Sequence, residues 1–151
     1  MTVLSGLIVL IVAGFGATTA QLIADGSCII IMDGDQVIHE RKPGQVWAHY
    51  LFMVTKDKEY DDQRWILQRT CDDYYKLKNK HSNRYMIIGS LGNMITDAKA
   101  GRDMDAFKFV PVEKDLYDIV NNKNKHPSRN WNNSYLKWSS SQQKFTIKKC
   151  T

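Results

Sequence analysis

The residues best suited to hold a ligand are an indole set among amides. Trp131 stands in the polar stretch 123–133 beside Asn130, Asn132 and Asn133, with little apolar company. An exposed indole stacks on the apolar face of a pyranose while neighbouring amides bond its hydroxyls, so Trp131, Asn132 and Asn130 are the expected saccharide contacts. The alternative for Trp131 is a ring folded back to anchor a long turn. Four cations, Lys80, Arg84, Lys125 and Arg129, are expected to meet acidic groups on the same ligand. Asn132-Asn133-Ser134 is also an N-glycosylation sequon, and a glycan there would compete with the saccharide.

No catalytic or metal-binding pattern accompanies these residues. Asp33-Gly34-Asp35 opens like a calcium loop, but its twelfth position is Gly44 where a bidentate Glu is required. His39, His49, His81 and His126 lack the spacing of zinc ligands, and no G-x-S-x-G elbow occurs. The expectation is a binding protein without enzymatic activity, metal or cofactor.

The elements that position these residues show themselves as a repeat. Trp65 is answered by Phe107, Asp73 by Asp115, Tyr75 by Tyr117, Leu77 by Ile119 and Asn79 by Asn121, each pair 42 residues apart. A period near 40 marks a supersecondary unit that cannot bury its apolar face alone. Residues 1–20 carry no charge, contain the apolar run 7–13 and end in small residues, which predicts a secretory signal peptide cut after Ala20. The apolar run is shorter than the roughly 20 residues that span a bilayer, so no membrane span is expected. The remaining 131 residues, 21–151, are expected to form a single domain of three units.

Each unit reads as four short strands, with no stretch of helical period. In the first these are 28–32, 36–40, 46–52 and 53–55. In the second they are 64–69, 74–78, 84–88 and 94–96, and in the third 107–110, 116–120, 134–138 and 144–147. The third unit's central turn looks about eight residues longer, because Tyr85 and Tyr135 are 50 apart. Cys28 opens the first unit and Cys150 closes the last, so units closed into a ring make them neighbours and a disulfide. Cys71 is left as a buried thiol or, in the alternative, an intermolecular bridge.

Three four-stranded units of about 42 residues, carrying the aromatic openings Trp65 and Phe107 and the Tyr-x-Leu/Ile-x-Asn segments, resemble the β-trefoil. The resemblance implies an all-β fold of pseudo-threefold symmetry: a six-stranded barrel capped at one end by three hairpins, its first and last strands paired. It further implies a secreted lectin-like protein, similar to the small Cys- and Trp-rich salivary proteins of mosquitoes. The ricin-type Gln-x-Trp signature does not stand in its usual place, since Gln63-Arg64-Trp65 opens a unit. Two other trefoil classes bear a likeness. Kunitz-type protease inhibitors present one rigid protruding loop, for which 126–130 is the candidate, and heparin-binding cytokine-like trefoils carry a basic surface.

Charge supports a glycan partner. The chain holds 21 Lys and Arg against 16 Asp and Glu, for a net charge of +5. Residues 76–84 carry +4 and residues 118–151 carry +6, so the remainder sums to −5. On a trefoil the basic turn residues Arg41, Lys42, Lys78, Lys80, Arg84, Lys123, Lys125 and Arg129 are expected to converge on the hairpin cap. The acidic segments 57–62 and 97–105 would join successive units elsewhere. Such polarity attracts sulfated glycans, phospholipid surfaces or nucleic acid, and its alternative role is plain solubility. The expected partners are glycans, acidic or sulfated, bound by a monomer, with no nucleic acid.

Overall fold

The computed structural model describes residues 21–56, 58, 60–130 and 135–151. Six strands make a closed barrel: β1 (Cys28–Asp33), β4 (Trp65–Arg69), β5 (Tyr75–Asn79), β8 (Phe107–Glu113), β9 (Leu116–Asn121) and β12 (Lys144–Lys149). They pair antiparallel in the cycle β1, β4, β5, β8, β9, β12 and back to β1. Closure leaves the barrel no free edge to recruit another chain. Three hairpins complete the fold: β2 (Gln36–Glu40) with β3 (Leu51–Thr55), β6 (Tyr85–Ile88) with β7 (Met94–Asp97), and β10 (His126–Arg129) with β11 (Leu136–Ser139). The protein is a β-trefoil. The helical turns among the described residues are two 3₁₀ turns, Asp61–Gln63 and Asp103–Asp105, themselves 42 residues apart.

Register explains why these residue types recur. Ile29 pairs with Trp65, Tyr75 with Phe107, and Tyr117 with Phe145. Trp65, Phe107 and Phe145 are therefore one layer of the barrel, all fully buried. Leu67, Phe109 and Ile147 form the next layer, and Ile31, Leu77 and Ile119 another. A side-chain period of two along each strand delivers these layers. The buried Trp65 indole donates to the Ile38 carbonyl at 3.3 Å. Leu51, Met94 and Leu136 fill the same place in the three cap hairpins, each next to the bridge its strand makes to a neighbouring hairpin.

Three expectations are corrected. The first repeat begins at β1 as expected, but the second and third begin one strand later than the spacing suggested, at β5 and β9, so that β1–β4, β5–β8 and β9–β12 are the units. Residues 46–52 and 53–55 are not two strands. β3 starts at Leu51, and 42–50 is a loop in which Trp47 and His49 take left-handed backbone, φ 62° and 69°. Val46 and Trp47 are exposed there, because a run that turns cannot alternate its side chains into the core. Nor does the third unit carry a longer turn. Residues 126–129 are strand β10, pairing residue by residue with β11, so the counterpart of Tyr85 is His126, 41 residues on.

The chain ends meet where ring closure requires. Cys28 and Cys150 form a disulfide with Cα atoms 5.4 Å apart, closing a sequence separation of 122. In the chain-entropy model such a bridge contributes about 4 to 5 kcal/mol by restricting the unfolded chain. Cys71 is a free, exposed thiol, not a buried one, because it lies in the turn between β4 and β5.

Candidate functional site

The turn that ends each first barrel strand decides what lies beside it. Asn79 and Asn121 are buried and do the same work: each amide nitrogen donates to a 3₁₀-turn carbonyl, Asp62 or Met104, at 2.9 and 3.0 Å. Each amide oxygen accepts two backbone N–H groups of the following turn, from His81 and Ser82 or from Lys123 and Lys125. Asp33 holds the equivalent place in β1, since Ile29, Tyr75 and Tyr117 stand level and each lies four residues before it. A carboxylate cannot donate, so the local arrangement differs. Asp33 accepts from Gln143 Nε2 at 2.8 Å and from Arg129 Nη2 at 3.3 Å.

That substitution stands at the edge of a cavity of about 690 Å³. It opens between the β10–β11 hairpin, the link into β12 and the end of β1. Asp33, Ser128, Arg129, Asn130, Trp138 and Gln142 line it, with Lys137, Gln143 and the hydroxyls of Ser139 and Ser141. Arg129 is fixed from two sides: its backbone N–H donates to Gln143 Oε1 at 3.1 Å, and its guanidinium also bonds Gln36 Oε1. Trp138 stacks on Phe107, ring centroids 5.1 Å apart and planes 18° from parallel. Arg129 Nε and Trp138 Nε1 are buried with no hydrogen-bond partner among the described residues. The cavity thus offers hydroxyls, amides and a held guanidinium.

A second cavity, about 270 Å³, occupies the corresponding place between the first hairpin and the β5–β6 turn. Asp62 lines it three residues before Trp65, as Gln142 lines the first three residues before Phe145. Its other walls include Glu40, His49, Ser82 and Arg84.

A protein from Simulium vittatum described as erythema protein SVEP is 43% identical over 150 residues, 99% of this chain and 99% of that one. This chain belongs to its family. No protein-family model matches the chain. Among solved structures, a Polyporus squamosus lectin bound to a Neu5Acα2-6Galβ1-4GlcNAc epitope superposes with TM-score 0.69 at 11% identity, over 83% of this chain and 50% of that one. A Culex quinquefasciatus salivary protein of the cysteine- and tryptophan-rich family superposes with TM-score 0.63 at 14% identity, over 83% and 94%. At these identities the likeness is one of fold.

The residues expected from sequence are brought together only in part. Arg129 and Asn130 share the larger cavity, while Trp131 and Asn132 lie outside the described residues. Arg84 lines the second cavity and spends its guanidinium on Thr96, at 3.1 Å to Oγ1 and 2.7 Å to the carbonyl. Lys80 lies 3.4 Å from Asp61, whose carboxyl the Arg64 hydrogen bond holds below the usual range. Lys125 bonds Ser140 at 2.7 Å beside Lys123, in a third, shallow depression. The basic residues therefore serve separate turns. Residues 126–130 also make no protruding inhibitor loop, because 126–129 is a paired strand with His126 and Pro127 buried and Arg129 bonded across the fold.

Spacing alone missed Trp138, Ser128, Gln142 and Asp33. One signal was present: Asp33 breaks the Asn of the repeat at the level of Asn79 and Asn121. It appears only once the repeats are taken from β1.

Proposed function

We propose that the protein is a secreted, non-enzymatic, lectin-like binding protein that takes an acidic or sulfated saccharide in the cavity of the third repeat. The observation that carries this reading is the lining of that cavity. Hydroxyls and amides face a space within the roughly 300–1,000 Å³ range of small-molecule sites, and Arg129 and Lys137 outnumber the single carboxylate of Asp33. Arg129 is pre-positioned by Gln143 and Gln36, so a ligand carboxylate or sulfate meets a guanidinium already ordered. Trp131 follows Asn130 in the chain and supplies the stacking face in this reading. Export is supported by the apolar leader and by the Cys28–Cys150 disulfide, a bond of oxidising compartments. The Simulium vittatum relative is named for erythema, the reddening of skin, and a protein with that effect works outside the cell that made it.

Screening residues 21–151 on a glycan array tests the proposal. Carboxylated or sulfated oligosaccharides are the expected hits. The signal should fall at least about tenfold in Arg129→Gln, as for loss of a charge-assisted hydrogen bond, and should hold in Lys123→Ala. An array without hits, or hits indifferent to Arg129→Gln, overturns it.

A further inference from the structure

The second cavity has a different chemistry. Glu40 is 3% exposed, and both its carboxylate oxygens are engaged: Oε1 with His49 Nδ1 at 3.1 Å, Oε2 with Ser82 Oγ at 2.5 Å. Asp62 is 7% exposed and is not so well served. Its Oδ2 lies 3.9 Å from His39 Nδ1, beyond hydrogen-bond range, and its Oδ1 is buried with no partner among the described residues. An unpaired buried carboxylate oxygen is costly, more so than a neutral acceptor. A native fold that retains one at a cavity wall has left room for a donor from outside.

We propose that this cavity is a binding site for a small primary amine, whose ammonium donates to Asp62 Oδ1 and is held by the combined charge of Asp62 and Glu40. An ammonium suits the site on three counts. It carries only donors, matching a wall whose vacancy is an acceptor. It is attracted by both carboxylates, although only one has an oxygen to spare. Its bearer must be small, because about 270 Å³ lies just below the range of drug-sized pockets. Among the described residues no group of three or more His, Cys, Asp or Glu is placed to hold a metal ion. The cationic groups around the site are Arg84, committed to Thr96, and Lys42, exposed at the rim; His49 and His81 complete the wall. Lys42 is thus a positive charge at the rim that opposes a ligand ammonium.

The site is separate from the saccharide cavity, so the two readings fail independently. Isothermal titration calorimetry with phenethylamine, phenethyl alcohol and phenylacetate reads the charge requirement directly on residues 21–151. Phenethylamine is expected to bind, with the alcohol and the acid at least about tenfold weaker, the cost of losing one charge-assisted hydrogen bond. Asp62→Asn should weaken the amine by the same factor. Lys42→Ala, at an exposed position that poses no folding risk, should tighten it. Equal binding of the alcohol makes the site a hydroxyl subsite and overturns the proposal. Absence of amine binding, undiminished affinity in Asp62→Asn, or weaker binding in Lys42→Ala overturns it as well.

Discussion

The two cavities occupy the same place in different repeats, yet one crosses a seam and the other does not. In the third repeat the wall joins Asp33 to Gln143, 110 residues apart, and to Arg129, 96 residues apart. In the first repeat Glu40 meets Ser82 only 42 residues on, inside continuous chain. Their linings differ as well: Gln142 and Arg129 in one, Asp62 and Glu40 in the other. The barrel layers tolerate little exchange, since every position in them must be apolar and of suitable bulk. The turns between repeats have no such requirement. A trefoil can therefore keep one architecture and carry a different chemistry at each corner.

Breaking the seam gives the largest expected effect. Cys28→Ser, or reduction of the disulfide, should cost about 4 to 5 kcal/mol in urea unfolding. It should also weaken hydrogen-exchange protection at the Arg129 amide, which bonds Gln143, itself tied across the seam to Asp33, more than at the Ser82 amide, which bonds Asn79. Equal loss at both would show that the ends do not hold the third-repeat cavity in particular. Next in size, Trp65→Ala and Phe145→Ala should each cost about 3 to 5 kcal/mol, as for other large buried aromatics. They fill one layer on either side of the comparison, so a cost much smaller for Phe145 would mean that the seam side packs more loosely.

The repeat and its strands were legible because burial constrains them twice. The opening aromatics Trp65 and Phe107 face the barrel, and Asn79 and Asn121 serve a turn that needs a donor and an acceptor on one side chain. The first repeat was obscured by Ile29 in the place of the tyrosines and by a two-residue turn in which Gly34 takes φ 59°. Strand β10 was invisible for another reason. His126-Pro127-Ser128-Arg129 shows no alternation and contains a proline, which is tolerated because β10 pairs only with β11 and needs no ladder on its other edge. The cavities were not legible at all. Each is assembled from turns distant in sequence, so a window such as 123–133 could suggest Arg129 and Asn130 but not the Asp33 and Trp138 that stand near them.

The turn residues allow a finer comparison. Asn79→Ala and Asn121→Ala should each cost about 1 to 3 kcal/mol, because each strands buried backbone N–H groups and a carbonyl. Asp33→Ala should cost less, since Asp33 is not fully buried and caps no such turn. Equal costs at all three would show that Asp33 does the work of an asparagine after all.

The smallest effect concerns Lys76, buried on β5 with its ammonium donating to the Arg102 carbonyl. Burial pulls its pKa below the ordinary 10.5, against the opposing attraction of Asp105 and Asp103. Between that lowered value and 10.5 the folded chain binds fewer protons at this site than the unfolded chain does, so the site's contribution to stability rises as pH climbs through the window. The difference in unfolding free energy between the wild type and Lys76→Met, followed by urea titration from neutral to alkaline pH, should therefore shift toward the wild type. A shift the other way would mean that Asp105 and Asp103 outweigh the loss of water around the ammonium. The corner at the second repeat would then be an ion-pair network, set apart from the hydroxyl-rich third corner and the carboxylate-walled first.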